Sequence, residues 1–182
     1  MEEEKIEQVN CSGVVRAVKD AGMFMLLDRE GGHYLVTEYF MLHLRKRDAF
    51  RIQCKLEVEH RNVYYCRIKS KWVQSSKQPS IDDILETYQS WTAQSKTGEI
   101  LTPTGVAVVL YEDMPMDGRL YAGGGGYTLV RGDYLEMLGE TRELVRVGDM
   151  IIINDCHVVS IMHDDAWKNN SFIVQYEQEG KE

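Results

Sequence analysis

In the segment FRIQCKLEVE, residues 50–59, apolar and polar side chains alternate without a break. Phe50, Ile52, Cys54, Leu56 and Val58 are set against Arg51, Gln53, Lys55, Glu57 and Glu59. Successive side chains of a strand point to opposite faces, so the alternation predicts a half-buried β-strand. The short turn HRN returns the chain into VYYCRIKSKW, and the two runs together read as a hairpin. Upstream, QVNCSGVVRAV reads as a first strand and GMFMLLD as a second. The turn REGG leads to a third strand in HYLVT. EYFMLHLRKRDA has helical spacing, with Phe40, Met41 and Leu44 on one side.

Residues 1–73 therefore run strand, strand, strand, helix, strand, strand. That element order resembles the OB-fold, and the resemblance implies a small five-stranded barrel. VQSSKQPS has linker composition. After it, Ser80 is placed as an N-cap with Asp83 three residues on, and Ile81, Ile84, Leu85, Tyr88 and Trp91 form the stripe of an amphipathic helix to about residue 95. Residues 74–100 are thus a linker and a packed connecting helix. Residues 101–182 read mostly as strand, in GVAVVLYE, RLYAG, YTLVRG, ELVRVGD, MIIIND, HVVSIM and SFIVQYEQ, with DYLEMLGE as a helical turn ending at Gly139. The expected fold class is α+β and mostly β, with two small β-barrel-like domains, the first OB-like, joined by an amphipathic helix.

Charge separates the halves. Residues 1–73 carry 13 Lys/Arg against 11 Asp/Glu, whereas residues 101–182 carry 6 against 14, so the net charge of −8 belongs to the C-terminal part. Such asymmetry points to two surfaces for two kinds of partner. The longest apolar runs, MFMLL and MIII, are far short of the roughly 20 residues a membrane span needs, and the N-terminus MEEEKIEQ is acidic where a secretory signal is basic. A soluble, cytoplasmic protein with no membrane contact is expected. Cys11, Cys54, Cys66 and Cys156 are widely spaced, with no C-x-x-C pair, and read as buried thiols in apolar strand contexts rather than as a zinc site or a disulfide framework.

Four consecutive glycines, Gly123–Gly126, stand between two tyrosine- and leucine-rich runs. A phosphate-binding loop needs a lysine and a hydroxyl after its last glycine, whereas Tyr127 and Thr128 follow here and continue as strand. The glycines read as a hairpin tip, or as a loop that lets another macromolecule approach between Tyr121 and Tyr127. The cluster NDCHVVSIMHDD holds potential ligands, but a strand from 157 to 162 sets His157 and His163 too far apart to share a metal. No serine, cysteine or histidine set has nucleophile spacing. The chain is therefore expected to be no enzyme and to take no metal or cofactor. The basic stretch is more telling. Residues 45–71 hold nine Lys/Arg, and the alternation turns Arg51 and Lys55 outward on one strand and Tyr65, Arg67, Lys69 and Lys71 together on the next. Cations that hold phosphates beside a ring that stacks a base make a nucleic-acid groove.

A compact acidic chain of 182 residues with no catalytic motif is similar, in size and character, to the type II anti-CRISPR proteins directed against Cas9. The resemblance implies a non-catalytic binding protein of mobile-element or phage type that interferes with target DNA engagement. Cas9-type effectors hold nucleic acid in positively charged channels, which an acidic surface can occupy. Under it, Glu112, Asp113, Asp117, Tyr121, Tyr127, Asp133, Glu136 and Glu140 would meet the effector or another basic nucleic-acid-binding protein, and the N-terminal half would contact nucleic acid. The alternative is an OB-fold accessory protein that binds single-stranded nucleic acid, and a third reading is a structural protein of a phage particle.

Overall fold

The backbone of β3, Phe40–Leu44, is buried at all five positions, which only a strand covered on both faces can be. The computed structural model describes residues 6, 8–111, 115–124, 126–139 and 143–161. Around β3 the other strands assemble: β1 (Met23–Arg29), β2 (Gly32–Val36), β4 (Tyr64–Ile68), β5 (Lys71–Gln74), β6 (Glu99–Tyr111), β7 (Pro115–Gly123), β8 (Gly126–Arg131), β9 (Leu144–Val147), β10 (Met150–Ile153) and β11 (His157–Ser160). They form one open antiparallel sheet in the order β5-β4-β1-β2-β3-β11-β10-β9-β6-β7-β8. Among the described residues four helices flank it: α1 (Cys11–Ala21), α2 (Lys46–Leu56), α3 (Ile81–Gln94) and α4 (Gly132–Leu138).

The mostly β, α+β character holds, but among the described residues the strands form one open sheet and no closed barrel. The physical reason is burial on both faces. On β1, Phe24 and Leu26 enter one core while Met25 and Leu27 enter the other; on β10, Ile151 and Ile153 face the first and Ile152 the second. The first core is completed by Val14 and Val18 of α1, Ile52 and Leu56 of α2, and Met137 and Leu138 of α4. The second is closed by α3, whose Tyr88 is buried with Ile81, Ile84, Leu85 and Trp91 packed around it. Strands that are apolar on both sides need a helix layer on each side, so they join an open, three-layer arrangement instead of closing on themselves. Residues from 1–73 and from 101–182 contribute to both cores, because β3 pairs with β11 through His157↔Leu42, Val158↔Met41 and Val159↔Phe40.

Three elements depart from the sequence reading. QVNCSGVVRAV is helix, not strand: the Asn10 side chain caps α1 by accepting from the Gly13 N–H at 3.2 Å, and Gly22 ends it in a left-handed conformation, with φ 74°. Val14, Val15 and Val18 fit a helix stripe, which the valine-rich composition disguises. Of EYFMLHLRKRDA, Phe40–Leu44 is strand rather than helix, and the chain turns helical only from Lys46. FRIQCKLEVE, the strongest strand pattern, lies largely in helix α2. Ala49, Ile52 and Leu56 recur at spacings of three and four and are buried, whereas Phe50 is 61% exposed and Cys54 faces solvent. Ile52 and Leu56 satisfy both periods, and the alternation is completed only by residues the helix turns outward.

Other expectations hold. Ser80 caps α3 by accepting from the Asp83 N–H at 3.3 Å. The glycine run is a hairpin tip, where Gly123 pairs with Gly126 and Gly124 takes φ 49°; Gly125 lies outside the described residues, as does the strand expected at SFIVQYEQ. VYYCRIKSKW is a fourth departure: expected as one strand paired with FRIQCKLEVE, it instead folds back on itself as β4 and β5, turning at Lys69 and Ser70 with φ 47° and 67°, the doubly positive turn that suits a two-residue hairpin.

The central pairing also buries two histidines. His43, on β3, stacks on Tyr34 with centroids 4.7 Å apart, and His157, on β11, is wholly inaccessible. Neither ring nitrogen of His157 meets a hydrogen-bond partner among the described residues. Burial, with the nearby His43, pushes the His157 imidazole down to about 4, and burial lowers His43 in the same direction. The unfolded chain takes up protons below about pH 6.5 that the folded chain refuses, so stability falls as pH drops from about 6.5 towards 4. Urea unfolding is expected to show a loss of about 2 kcal/mol between pH 7 and pH 5, mostly absent in His157→Leu. A flat profile in the unmodified protein would contradict the neutral buried pair.

Candidate functional site

Helix α2 places the cations of the N-terminal half. Its buried stripe fixes which residues face out, and Lys46, Arg47, Phe50, Arg51 and Lys55 all stand exposed. Arg45, Lys46, Arg47, Phe50, Arg51 and Arg61 line a groove of about 650 Å³. A second depression of about 510 Å³ continues from Phe50 and Arg51 past Cys54 and Lys55 to the start of α1. Phe50 is thus the ring between two basic hollows.

The arginines differ in role. Arg45 donates from Nε to Asp48 Oδ2 at 2.8 Å, and the Asp48 side chain is 0% exposed. Arg61 donates from Nε to Gln53 Oε1 at 2.8 Å and from NH1 to Asp28 Oδ2 at 3.1 Å. These two are held as walls. Arg47 and Arg51 make no ion pair or hydrogen bond among the described residues and present their guanidinium groups to solvent. Lys55 donates to Ser12 Oγ at 3.3 Å at the far end.

Of the residues expected from sequence to form a nucleic-acid face, the structure brings together Arg51 and Lys55. Tyr65 is 4% exposed, its ring stacked on Phe24 with centroids 5.3 Å apart and its hydroxyl donating to the His60 carbonyl at 3.2 Å, so it offers no face to a base. Arg67 is exposed on β4 and donates to the Lys19 carbonyl at 3.0 Å. Lys69 and Lys71 belong to the edge hairpin and do not line the groove. The ring that does stand among cations, Phe50, is one that the strand alternation turns toward the core. Only a helical reading of RKRDAFR would have found it.

The expected acidic partner surface is likewise rearranged. Glu112, Asp113 and Glu140 lie outside the described residues. Asp117 pairs with Arg119 at 2.9 Å, Glu136 with Arg16 at 3.5 Å, and Asp133 takes a two-pronged contact from Arg131 whose Nε–Oδ1 distance is 3.0 Å. Tyr121 is buried and Tyr127 half-buried. These carboxylates are therefore locally neutralised. On the opposite face of the sheet from α2, helix α3 exposes Asp82, Asp83 and Glu86, which make no ion pair among the described residues. In sequence Asp82 and Asp83 read simply as charges suited to a helix N-terminus. Beside them an apolar cleft of about 300 Å³ opens between α3 and the sheet, lined by Val36, Met41, Ile84, Trp91 and Met150, with Glu38 and Asp83 as its carboxylates. The Tyr88 hydroxyl holds α3 in place by donating to the Cys156 carbonyl at 2.8 Å, and burial raises its pKa far above the usual tyrosine range.

Among the described residues no group of three His, Cys, Asp or Glu is placed to hold a metal ion; His163, Asp164 and Asp165 lie outside them. No helix among the described residues is long and apolar enough to cross a membrane. No protein-family model, no curated protein and no solved structure matches the chain.

The two kinds of arginine should respond differently to truncation. Arg45→Ala leaves the Asp48 carboxylate buried and unpaired, and is expected to cost about 3 kcal/mol in chemical denaturation. Arg47→Ala is expected to stay within about 0.5 kcal/mol of the unmodified protein. Equal effects would show that Arg47 is also structural.

Proposed function

We propose that this chain is a non-catalytic binding protein of mobile-element or phage type that inhibits a Cas9-type effector by docking on it and interfering with target DNA engagement. The observation that carries this reading is the division of charge between two helices on opposite faces of one sheet. α2 carries the groove cations, and α3 carries Asp82, Asp83 and Glu86 beside an apolar cleft. A Cas9-type effector presents both matching chemistries: basic channels in its protein and the phosphates of its guide and target strands. An acidic helix at the mouth of such a channel competes with DNA for the same cations, and the cleft beside it suits an apolar side chain of the channel wall. α2, turned the other way, meets guide or target strand. The paired state of Asp117, Asp133 and Glu136 favours α3 over α4 and the β7–β8 hairpin as the protein-contacting surface.

The full chain, immobilised by a tag, is expected to capture a Cas9 effector–guide complex and to lower that complex's binding of target DNA, with capture weakening as salt rises. Changing Asp82→Asn, Asp83→Asn and Glu86→Gln together should abolish capture with little change in melting temperature, since these side chains are exposed. Failure of the unmodified chain to capture the effector would sink the reading. Capture unaffected by the triple change would remove α3 from it.

A further inference from the structure

The groove along α2 has a composition that ordinary helix stability does not explain. Lys46 and Arg47 stand in the first helical turn, where the positive end of the helix dipole disfavours cations, and the N-cap residue Arg45 makes no capping hydrogen bond with its side chain. Phe50 leaves a large ring in solvent on the same face, with Arg47 one turn before it and Arg51 next to it. Each of these choices costs the helix something, and together they converge on one groove.

We infer that this groove binds a single-stranded nucleic-acid segment, with Phe50 stacking an unpaired base and Arg47, Arg51 and Lys55 contacting the phosphates on either side of it. The geometry favours this class of ligand over an acidic peptide. Guanidinium groups serve phosphate and carboxylate alike, but an open ring between them adds affinity only for a partner that brings a flat π-face to it. It favours a single strand over a duplex because the ring needs a base that is not already stacked on both sides. Arg45 and Arg61, held by Asp48 and by Gln53 and Asp28, supply fixed walls that need no ordering on binding and leave the unpaired Arg47 and Arg51 to attract the strand. The far end, where Lys55 meets Ser12 in the second depression, lets the strand continue past the ring. This inference concerns the groove alone, and its test uses oligonucleotide without any effector, so its failure leaves the capture of an effector by α3 standing.

Fluorescence anisotropy of the full chain with labelled 12-mers of deoxythymidine and of uridine tests it directly. Binding is expected at low salt, with a slope of log affinity against log salt near −2, as three phosphate contacts at about 0.7 each require. Arg47→Gln with Arg51→Gln should flatten the slope by about 1.4. Phe50→Ala should weaken binding by about 5- to 150-fold, and Phe50→Trp should restore it. Phe50 is exposed, so all these variants should melt as the unmodified protein does, and a melt that shifts strongly would contradict the placement of the ring. Tighter binding of one 12-mer than the other decides whether RNA or DNA is the strand. No binding of either, equal binding of a duplex of the same length, competition by polyglutamate as effective as by oligonucleotide, or a Phe50→Ala protein that binds as before would each overturn the inference.

Discussion

The antiparallel pairing of β3 with β11 is the contact on which the rest of the structure depends. It joins residues 40–42 to residues 157–159, merging what would be two small sheets into one. Its side chains alternate between two cores, Phe40, Leu42 and Val159 facing one helix layer and Met41 and Val158 the other. Joining such distant segments costs chain entropy, though that cost grows only slowly with loop length, and burial on both faces offsets it. The Tyr88 hydroxyl, bonded to the Cys156 carbonyl, ties the far helix layer to the same junction.

That pairing decides what the surface can do. With α1, α2 and α4 over one face and α3 over the other, the cations of α2 and the carboxylates of α3 are kept apart by the full thickness of the sheet. At physiological salt, charges more than about 8 Å apart across solvent are largely screened from one another. The two faces therefore keep their own potentials, whereas Asp117, Asp133 and Glu136, close to arginines in the same layer, lose theirs.

The parts legible in the sequence were those where one period operates alone. GMFMLLD and HYLVT, bracketed by glycines, form β1 and β2, and the Ser80 cap with the stripe to Trp91 forms α3. The glycine run marked a hairpin tip because no lysine followed it. What misled was a residue set that satisfies two periods at once. Ile52 and Leu56 fit strand and helix equally, and Phe50 tipped the balance by being apolar in a position that the fold leaves exposed. An apolar residue that the fold leaves exposed looks, in sequence, like one placed for the core. The same error buried the groove's ring in the expected core and brought Tyr65 out as its substitute. The positive charge of residues 45–71 was visible throughout, but which cations are held as walls and which are presented depends on Asp48, Gln53 and Asp28, and only the fold brings Asp28 to Arg61.

On this proposal the two opposed helices, and not the β7–β8 edge, are the working surfaces. Hydrogen–deuterium exchange of the full chain, alone and with a Cas9 effector–guide complex, tests it most directly. Slowed exchange is expected in peptides covering α3 and α2 on complex formation, with α4 and the β7–β8 hairpin unchanged. Protection confined to residues 115–138, with α2 and α3 exchanging as in the isolated protein, would contradict it.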